Sequence, residues 1–198
     1  MGEGEILFVP LGGGQAVGAS CYYIRLGRIN ILLDCGIGVN EGKVFHPNFY
    51  TLMQFVNGMG CISQVYISHA HIDHIGALPE FLKKAPHTPV YMTEMSLMLA
   101  EHQLRMIGHQ PFAAELLRER ITPVSFNQSF AFKDYKVSFY PAGHIPGAMM
   151  TLLEYCGRTI LYTGDYSVEP TALSEICVLP EKEIDTLILC AVHARHPK

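Results

Sequence analysis

His69-Ala70-His71-Ile72-Asp73-His74 places three imidazoles and a carboxylate within six residues, and no other stretch restricts what the chain can fold into as much. The apolar run Val65-Tyr66-Ile67-Ser68 before it reads as a short buried strand. Gly76-Ala77-Leu78-Pro79-Glu80-Phe81-Leu82 after it reads as the start of a helix. The four polar side chains therefore occupy one strand-to-helix turn, where alternate residues can face common points. Imidazole with carboxylate is a donor set suited to zinc and related divalent ions. The alternative is a solvated His-rich loop, and matching donors elsewhere in the chain argue against it.

Those donors also follow strand-like segments. Ala142-Gly143-His144-Ile145-Pro146-Gly147-Ala148 comes after the strand Lys136–Tyr140, and its glycines let His144 approach a crowded site. Thr163-Gly164-Asp165-Tyr166 comes after Thr159–Tyr162. Taken alone, His144 reads as a turn histidine and Asp165 as a turn or cap acid. Asp34, in Leu32-Leu33-Asp34-Cys35-Gly36, ends a third strand, where a carboxylate can orient a liganding histidine from behind or simply serve a turn. Chemistry at converging strand ends is the common theme.

Composition agrees with a folded domain. Hydrophobic residues are 49% of 198 and charged residues 16%. No apolar run has the length of a membrane span, and the acidic start Met1-Gly2-Glu3-Gly4-Glu5 lacks the basic region of a signal peptide. The expected location is the nucleus or cytoplasm, with no membrane partner. Cys21, Cys35, Cys61, Cys156, Cys177 and Cys190 form no CxxC pair, so buried free thiols in a reducing compartment are expected rather than disulfides. A net charge of −4 disfavours broad electrostatic capture of nucleic acid. Gly12-Gly13-Gly14-Gln15-Ala16-Val17-Gly18 lacks the Lys-Ser/Thr of a phosphate loop and reads as a tight turn beside a neighbouring site.

Further strands are expected at Glu5–Pro10, Cys21–Leu26, Asn30–Asp34, Val90–Met92, Val124–Phe126, Met149–Tyr155 and Leu187–Cys190. Helices are expected at Phe49–Val56, from Gly76 to about Lys84, at Ser96–Ile107 and at Phe112–Arg120. Runs of strands with helices between them imply an α/β (α+β) fold of stacked sheets with helices outside.

Leu33-Asp34-Cys35-Gly36, His69-x-His71-x-Asp73-His74, Gly143-His144 and Gly164-Asp165, in that order, resemble the metallo-β-lactamase superfamily over nearly the whole chain. The opening Pro10-Leu11-Gly12-Gly13-Gly14-Gln15, the Ala142–Ala148 turn and Tyr162-Thr163-Gly164-Asp165-Tyr166 are most similar to its β-CASP branch of RNA-processing nucleases. The resemblance implies an αββα sandwich holding two divalent ions, zinc by preference. It implies that His69, His71 and His144 bind one ion, Asp73 and His74 the other, and Asp165 both. Asp73 and Asp165 thus become the catalytic carboxylates and RNA the substrate. Two such ions stabilise attack on phosphorus and neutralise the leaving oxygen.

The match stops near the end. Asp185-Thr186-Leu187-Ile188-Leu189 follows the branch, whereas Cys190 stands where it has an acid of a Glu-Ser-Thr-like run. The resemblance then implies a domain over 1–189, incomplete at its C-terminus, with 190–198 as a divergent tail where a β-CASP domain would begin. That tail reads as a truncation, as an alternative or frameshifted product, or as a compact variant in which His193 or His196 replaces a missing ligand. The expectations are a weakly held second ion, impaired turnover, and an apolar edge that associates unless a protein partner covers it. A thioester or lactone hydrolase and an inactive scaffold subunit are the alternatives.

Overall fold

The computed structural model describes residues 4–107 and 118–191. The chain opens as an antiparallel meander of β1 (Ile6–Gly12), β2 (Cys21–Leu26) and β3 (Ile29–Leu33). A small hairpin follows, β4 (Gly38–Asn40) with β5 (Lys43–Phe45), then a one-turn helix α1 (Phe49–Leu52). β6 (Gln64–Tyr66) returns to pair with β3 in parallel. Parallel neighbours need a crossover. The short helices α2 (Ile72–Ile75) and α3 (Leu78–Lys84) carry the chain to β7 (Val90–Thr93). Helix α4 (Glu94–Met106) leads away from β7, and β8 (Ile121–Val124) closes the sheet. The resulting order is β1-β2-β3-β6-β7-β8. Pro123 lies within β8, which is tolerable because β8 is an edge strand.

The second sheet is built from β9 (Ser129–Ala131), β10 (Lys136–Pro141), β11 (Met149–Tyr155), β12 (Arg158–Tyr162) and β13 (Thr186–Ile188), in the order β13-β12-β11-β10-β9. All its pairs are antiparallel except β12 with β13.

Strand alternation sorts the core into layers. Ile31 and Leu33 of β3 pack with Phe139, Met149, Leu153 and Tyr162 between the two sheets. Leu32 points to the other face and joins Val65, Ile67, Phe81, Leu82 and Leu104, so the helices lie on the outer side of the first sheet. Met150, Leu152 and Leu161 form the outer face of the second sheet, packed by Cys177 and Ile184 from the connection before β13. Each wholly buried Leu, Ile or Phe contributes about 1.5–3 kcal/mol relative to exposure. The layers are thus helix, sheet, sheet. Among the described residues no helix covers the second outer face.

Several boundaries differ from expectation. α1 ends at Leu52 and not Val56, because Val56 lies beyond its single closed turn. β8 precedes Val124 and does not follow it, since residues 121–124 are the ones in register with β7. The hairpin β4–β5 and strand β9 were not expected. The stretch Phe112–Arg120 lies outside the described residues except for 118–120, which are helical. Of the cysteines, Cys21 and Cys35 are buried thiols, but Cys61 and Cys156 are exposed, Cys61 at the end of a short 3₁₀ helix and Cys156 at the turn between β11 and β12.

Candidate metal centre

Strand ends from both sheets meet at one edge. β3 delivers Asp34, β6 delivers the run from Ser68 to His74, β10 leads to His144 and β12 to Asp165. The Ser68 carbonyl accepts a hydrogen bond from Met149 N at 2.8 Å, which stitches the two sheets together beside the site.

His69, His71, His144 and Asp165 each bring one donor atom within 4.8 Å of the others. His69 Nε2 lies 3.0 Å from His71 Nδ1, and His144 Nε2 lies 3.2 Å from the same atom. His74 stands beside them, its Nε2 3.6 Å from Asp165 Oδ1 and 3.7 Å from Asp73 Oδ2. The other oxygen of Asp165 is 3.7 Å from His144 Nε2. Asp165 therefore spans the two histidine groups, one oxygen towards each.

Burial grades the site. His69 is fully enclosed and His74 nearly so, while Asp73 and Asp165 keep side-chain exposures of 39% and 26%. Burial, reinforced by the neighbouring imidazoles, pushes the His69 pKa well below the ordinary histidine value. Burial also lowers His144, with Asp165 opposing. His74 is lowered by burial but raised by more, through Asp34 and then Asp165 and Asp73, so its net shift is upward. Closely opposed imidazoles with carboxylates at their rim are the donor set that a divalent cation satisfies, so the residues present fit a metal centre.

The backbone around the run is held tightly. α2 begins inside the run itself, with His71 at its N-cap and His74 in its last turn; the sequence alone gave only a loop there. Cys35 N donates to the His74 carbonyl at 2.8 Å, Ile37 N to Ile72 at 3.1 Å and Ser20 N to Asp73 at 2.8 Å. Ser20 follows the glycine-rich loop, whose Gly18, at φ +88°, packs against Gly38. That loop is the tight turn beside the site that its composition suggested. The His144 turn is pinned from the opposite side. Gly147 adopts φ +84°, and its carbonyl accepts from Thr93 Oγ1 at 2.7 Å and Ser96 Oγ at 3.0 Å, at the N-terminus of α4.

Asp34 lies behind the histidines, entirely buried, with a left-handed φ of 59°. Its Oδ1 accepts from Ser68 N at 2.6 Å. Its Oδ2 meets Ser68 Oγ at 2.7 Å, His74 Nδ1 at 2.7 Å and the Tyr162 hydroxyl. Burial, and then Asp34, raise the Tyr162 pKa well above its ordinary value. Tyr22, whose ring packs on Tyr162, is pushed up to about 12, also by burial and Asp34. Ser68, Tyr162, Gly36 and Thr93 are site residues to which sequence reasoning gave no individual role, although Gly36 and Tyr162 lie within the matching motifs. The available signals were weak: a serine directly before the first histidine, and a tyrosine closing a strand.

Cys190 is half-buried just past β13, and its N–H donates to Thr163 Oγ1 at 3.3 Å, beside Gly164 and Asp165. His193 and His196 lie outside the described residues.

The family described as the metallo-beta-lactamase superfamily matches residues 14–189. The chain is similar to a probable RNase, MJ4, of Methanocaldococcus jannaschii, with 32% identity over 98% of this chain and 47% of that protein. It is similar to the Integrator complex subunit 11 homolog of Dictyostelium discoideum, with 32% identity over 83% of this chain and 24% of the relative. Cleavage and polyadenylation specificity factor 73 of Drosophila melanogaster is 30% identical over 98% and 30%. The chain thus spans about half or less of the length of these relatives, and their names bear out the resemblance to the β-CASP branch. Among solved structures, the metallo-beta-lactamase fold protein YhfI of Bacillus subtilis superposes with a TM-score of 0.54 and 19% identity, over 82% of this chain and 63% of that one. A protein of unknown function from Enterococcus faecalis superposes with a TM-score of 0.60 and 16% identity, over 81% and 43%.

Proposed function

The chain belongs to the metallo-β-lactamase superfamily, and on that premise we propose that it carries the metal-dependent hydrolytic centre of an RNA-processing phosphodiesterase. The observation that carries the reading is the position of Asp165, with one carboxylate oxygen towards His74 and the other towards His144. In this reading His69, His71 and His144 hold one ion, Asp73 and His74 hold a second, and Asp165 serves both. Zinc suits the imidazole-rich group best. The second group has fewer imidazoles and the more exposed carboxylate, so its ion is the more weakly held.

When bound, such ions supply electrostatic stabilisation to a phosphodiester at the moment of cleavage. The chain's own residues supply position. The Ser20, Cys35 and Ile37 amides fix the backbone of the run, and Thr93 and Ser96 fix the turn that brings His144 across from the second sheet. Asp73 and Asp165 are the catalytic carboxylates of the proposal, both partly open to solvent and so within reach of a substrate.

RNA as the substrate rests on the names of the similar proteins, which are nucleases and RNA-processing factors several-fold longer or about twice the length. Cys190 offers a thiol where the branch places a carboxylate, so turnover by these residues alone is expected to be low. A protein partner on the edge beyond β13, where Leu187 is 53% exposed, belongs to the same proposal. So does a nuclear or cytoplasmic location, which the buried thiols Cys21 and Cys35 favour. On the described residues, no helix is long and apolar enough to cross a membrane.

The test is cleavage of end-labelled single-stranded RNA against hydrolysis of a generic thioester, each with and without chelator. Chelator-sensitive RNA cleavage supports the proposal. Thioester turnover without RNA cleavage replaces the substrate class, and a chain that takes up no metal removes the centre itself.

A further inference from the structure

The Ser68 side chain touches Asp34 and both buried histidines. Its Oγ lies 2.7 Å from Asp34 Oδ2, 3.0 Å from His69 Nδ1 and 3.3 Å from His74 Nδ1. All four residues are buried, so water does not adjust these bonds. A hydroxyl carries one hydrogen, and an ionised carboxylate only accepts. If the Ser68 hydrogen pointed at His69, two acceptor oxygens would face each other at 2.7 Å with nothing between them. The hydrogen therefore lies on the Asp34 side. The Ser68 lone pairs then face His69 Nδ1, and that nitrogen must present an N–H. His74 Nδ1, nearer to Asp34 at 2.7 Å than to Ser68, donates to the carboxylate directly.

We propose that Ser68 is a positioning residue: committed to Asp34, its hydroxyl accepts from His69 Nδ1–H and so leaves the His69 Nε2 lone pair facing His71 and His144. One carboxylate thereby orients histidines of both metal groups, His74 by direct contact and His69 through Ser68. Gly164 seals the arrangement from above, because a Cβ there would run into the Ser68 side chain. The Asp34 oxygen that takes the Ser68 hydrogen also receives the Tyr162 hydroxyl, so each donor around it is directed inward. Orientation of a ligand ring by the bond at its far nitrogen raises metal affinity, and loss of such a partner typically costs 10–100-fold. The inference rests on the metal reading above.

The experiment has two readouts on the 198-residue chain. The first is the long-range nitrogen–proton correlation pattern of the His69 ring without metal, which reports the nitrogen carrying the hydrogen. It is expected to show Nδ1–H, and an Nε2–H pattern overturns the proposal. The second is zinc affinity by titration for the unsubstituted chain and for Ser68→Ala, which keeps the backbone bond from residue 68 to Asp34. The expected result is a 10–100-fold weaker first zinc and loss of the Nδ1–H preference, with an unchanged far-ultraviolet spectrum. A folded Ser68→Ala chain with zinc affinity within twofold of the unsubstituted one overturns the proposal. If Ser68→Ala does not fold, the ring pattern of the unsubstituted chain still decides. An unsubstituted chain that binds no zinc while showing Nδ1–H on His69 overturns the metal reading and leaves the hydrogen-bond assignment supported.

Discussion

Gly36 lies directly beneath the backbone of Asp73, so that any Cβ at position 36 would collide with the Asp73 carbonyl group. The neighbouring amides of Cys35 and Ile37 donate to His74 and Ile72, and Gly36 N donates to Ser20. Glycine at this position is what lets the chain after β3 run close against the histidine-bearing turn. Gly36→Ala must displace backbone at the run, not a flexible side chain. Overpacking of this kind costs about 1–3 kcal/mol, and the upper end is expected here. Urea denaturation checks it; a change below about 0.5 kcal/mol, the range of an ordinary surface substitution, would sink the argument.

Removal of Asp34 should be among the most damaging single changes. Asp34→Ala leaves the Ser68 amide and hydroxyl, His74 Nδ1 and the Tyr162 hydroxyl without their common acceptor, all in a dry interior. Breaking a buried, hydrogen-bonded charge site costs about 3–5 kcal/mol. Tyr162→Phe removes one donor to that carboxylate and keeps the packing against Tyr22, so it should cost less, about 1.5–3 kcal/mol. Thermal unfolding of both variants tests the ranking, and equal losses would refute it.

The candidate metal ligands could be read from the chain because they come in a short run and at strand ends, and the run, the His144 turn and Asp165 do meet. What holds them could not. Asp34 and Ser68 are 34 positions apart, and Asp34 and Tyr162 128 positions apart, so only the pairing of β3 with β6, and the packing of the two sheets, brings them together. The same applies to Thr93 and Gly147, 54 positions apart. Longer strands such as β11, seven residues and apolar through most of its length, were legible. The three-residue strands β4, β5 and β9 were not, because so few residues carry no period. Helix α2 escaped because a single four-residue turn, Ile72-Asp73-His74-Ile75, is too short to show a helical period.

Asp165 and Asp73 should differ in how they affect metal content. Asp165 reaches towards both histidine groups, whereas Asp73 stands near His74 alone. Asp165→Ala should therefore lower the occupancy of both ions, and Asp73→Ala mainly that of the weaker one. Elemental analysis of gel-filtered protein, with zinc supplied and then withdrawn, is the check. Unsubstituted chain is expected to retain one ion firmly and a second only at excess metal. Two ions surviving dialysis, or equal losses in both variants, would contradict this assignment.

The end of the second sheet should loosen in acid, for a reason local to β13. Thr159 N donates to Asp185 Oδ2 at 2.7 Å, and Asp185 N returns a bond to Thr159 Oγ1 at 3.0 Å, which ties the entry of β13 to β12. The Thr159 amide, then its hydroxyl, hold the Asp185 carboxyl below the ordinary aspartate value. A carboxyl whose folded pKa is depressed binds its proton more readily once released. Its contribution is therefore complete above the unfolded value of about 3.9 and disappears as pH falls through the lower, folded one. The protection of the Leu187 and Ile188 amides, their exchange relative to the intrinsic rate at each pH, should fall in that acid range, and Asp185→Asn should show the lower protection already at neutral pH with no further acid step. An unsubstituted chain whose β13 amides keep the same protection as the pH falls from neutral to well below the ordinary aspartate value of about 3.9, or an Asp185→Asn chain that retains the acid step, would show that another group holds the strand.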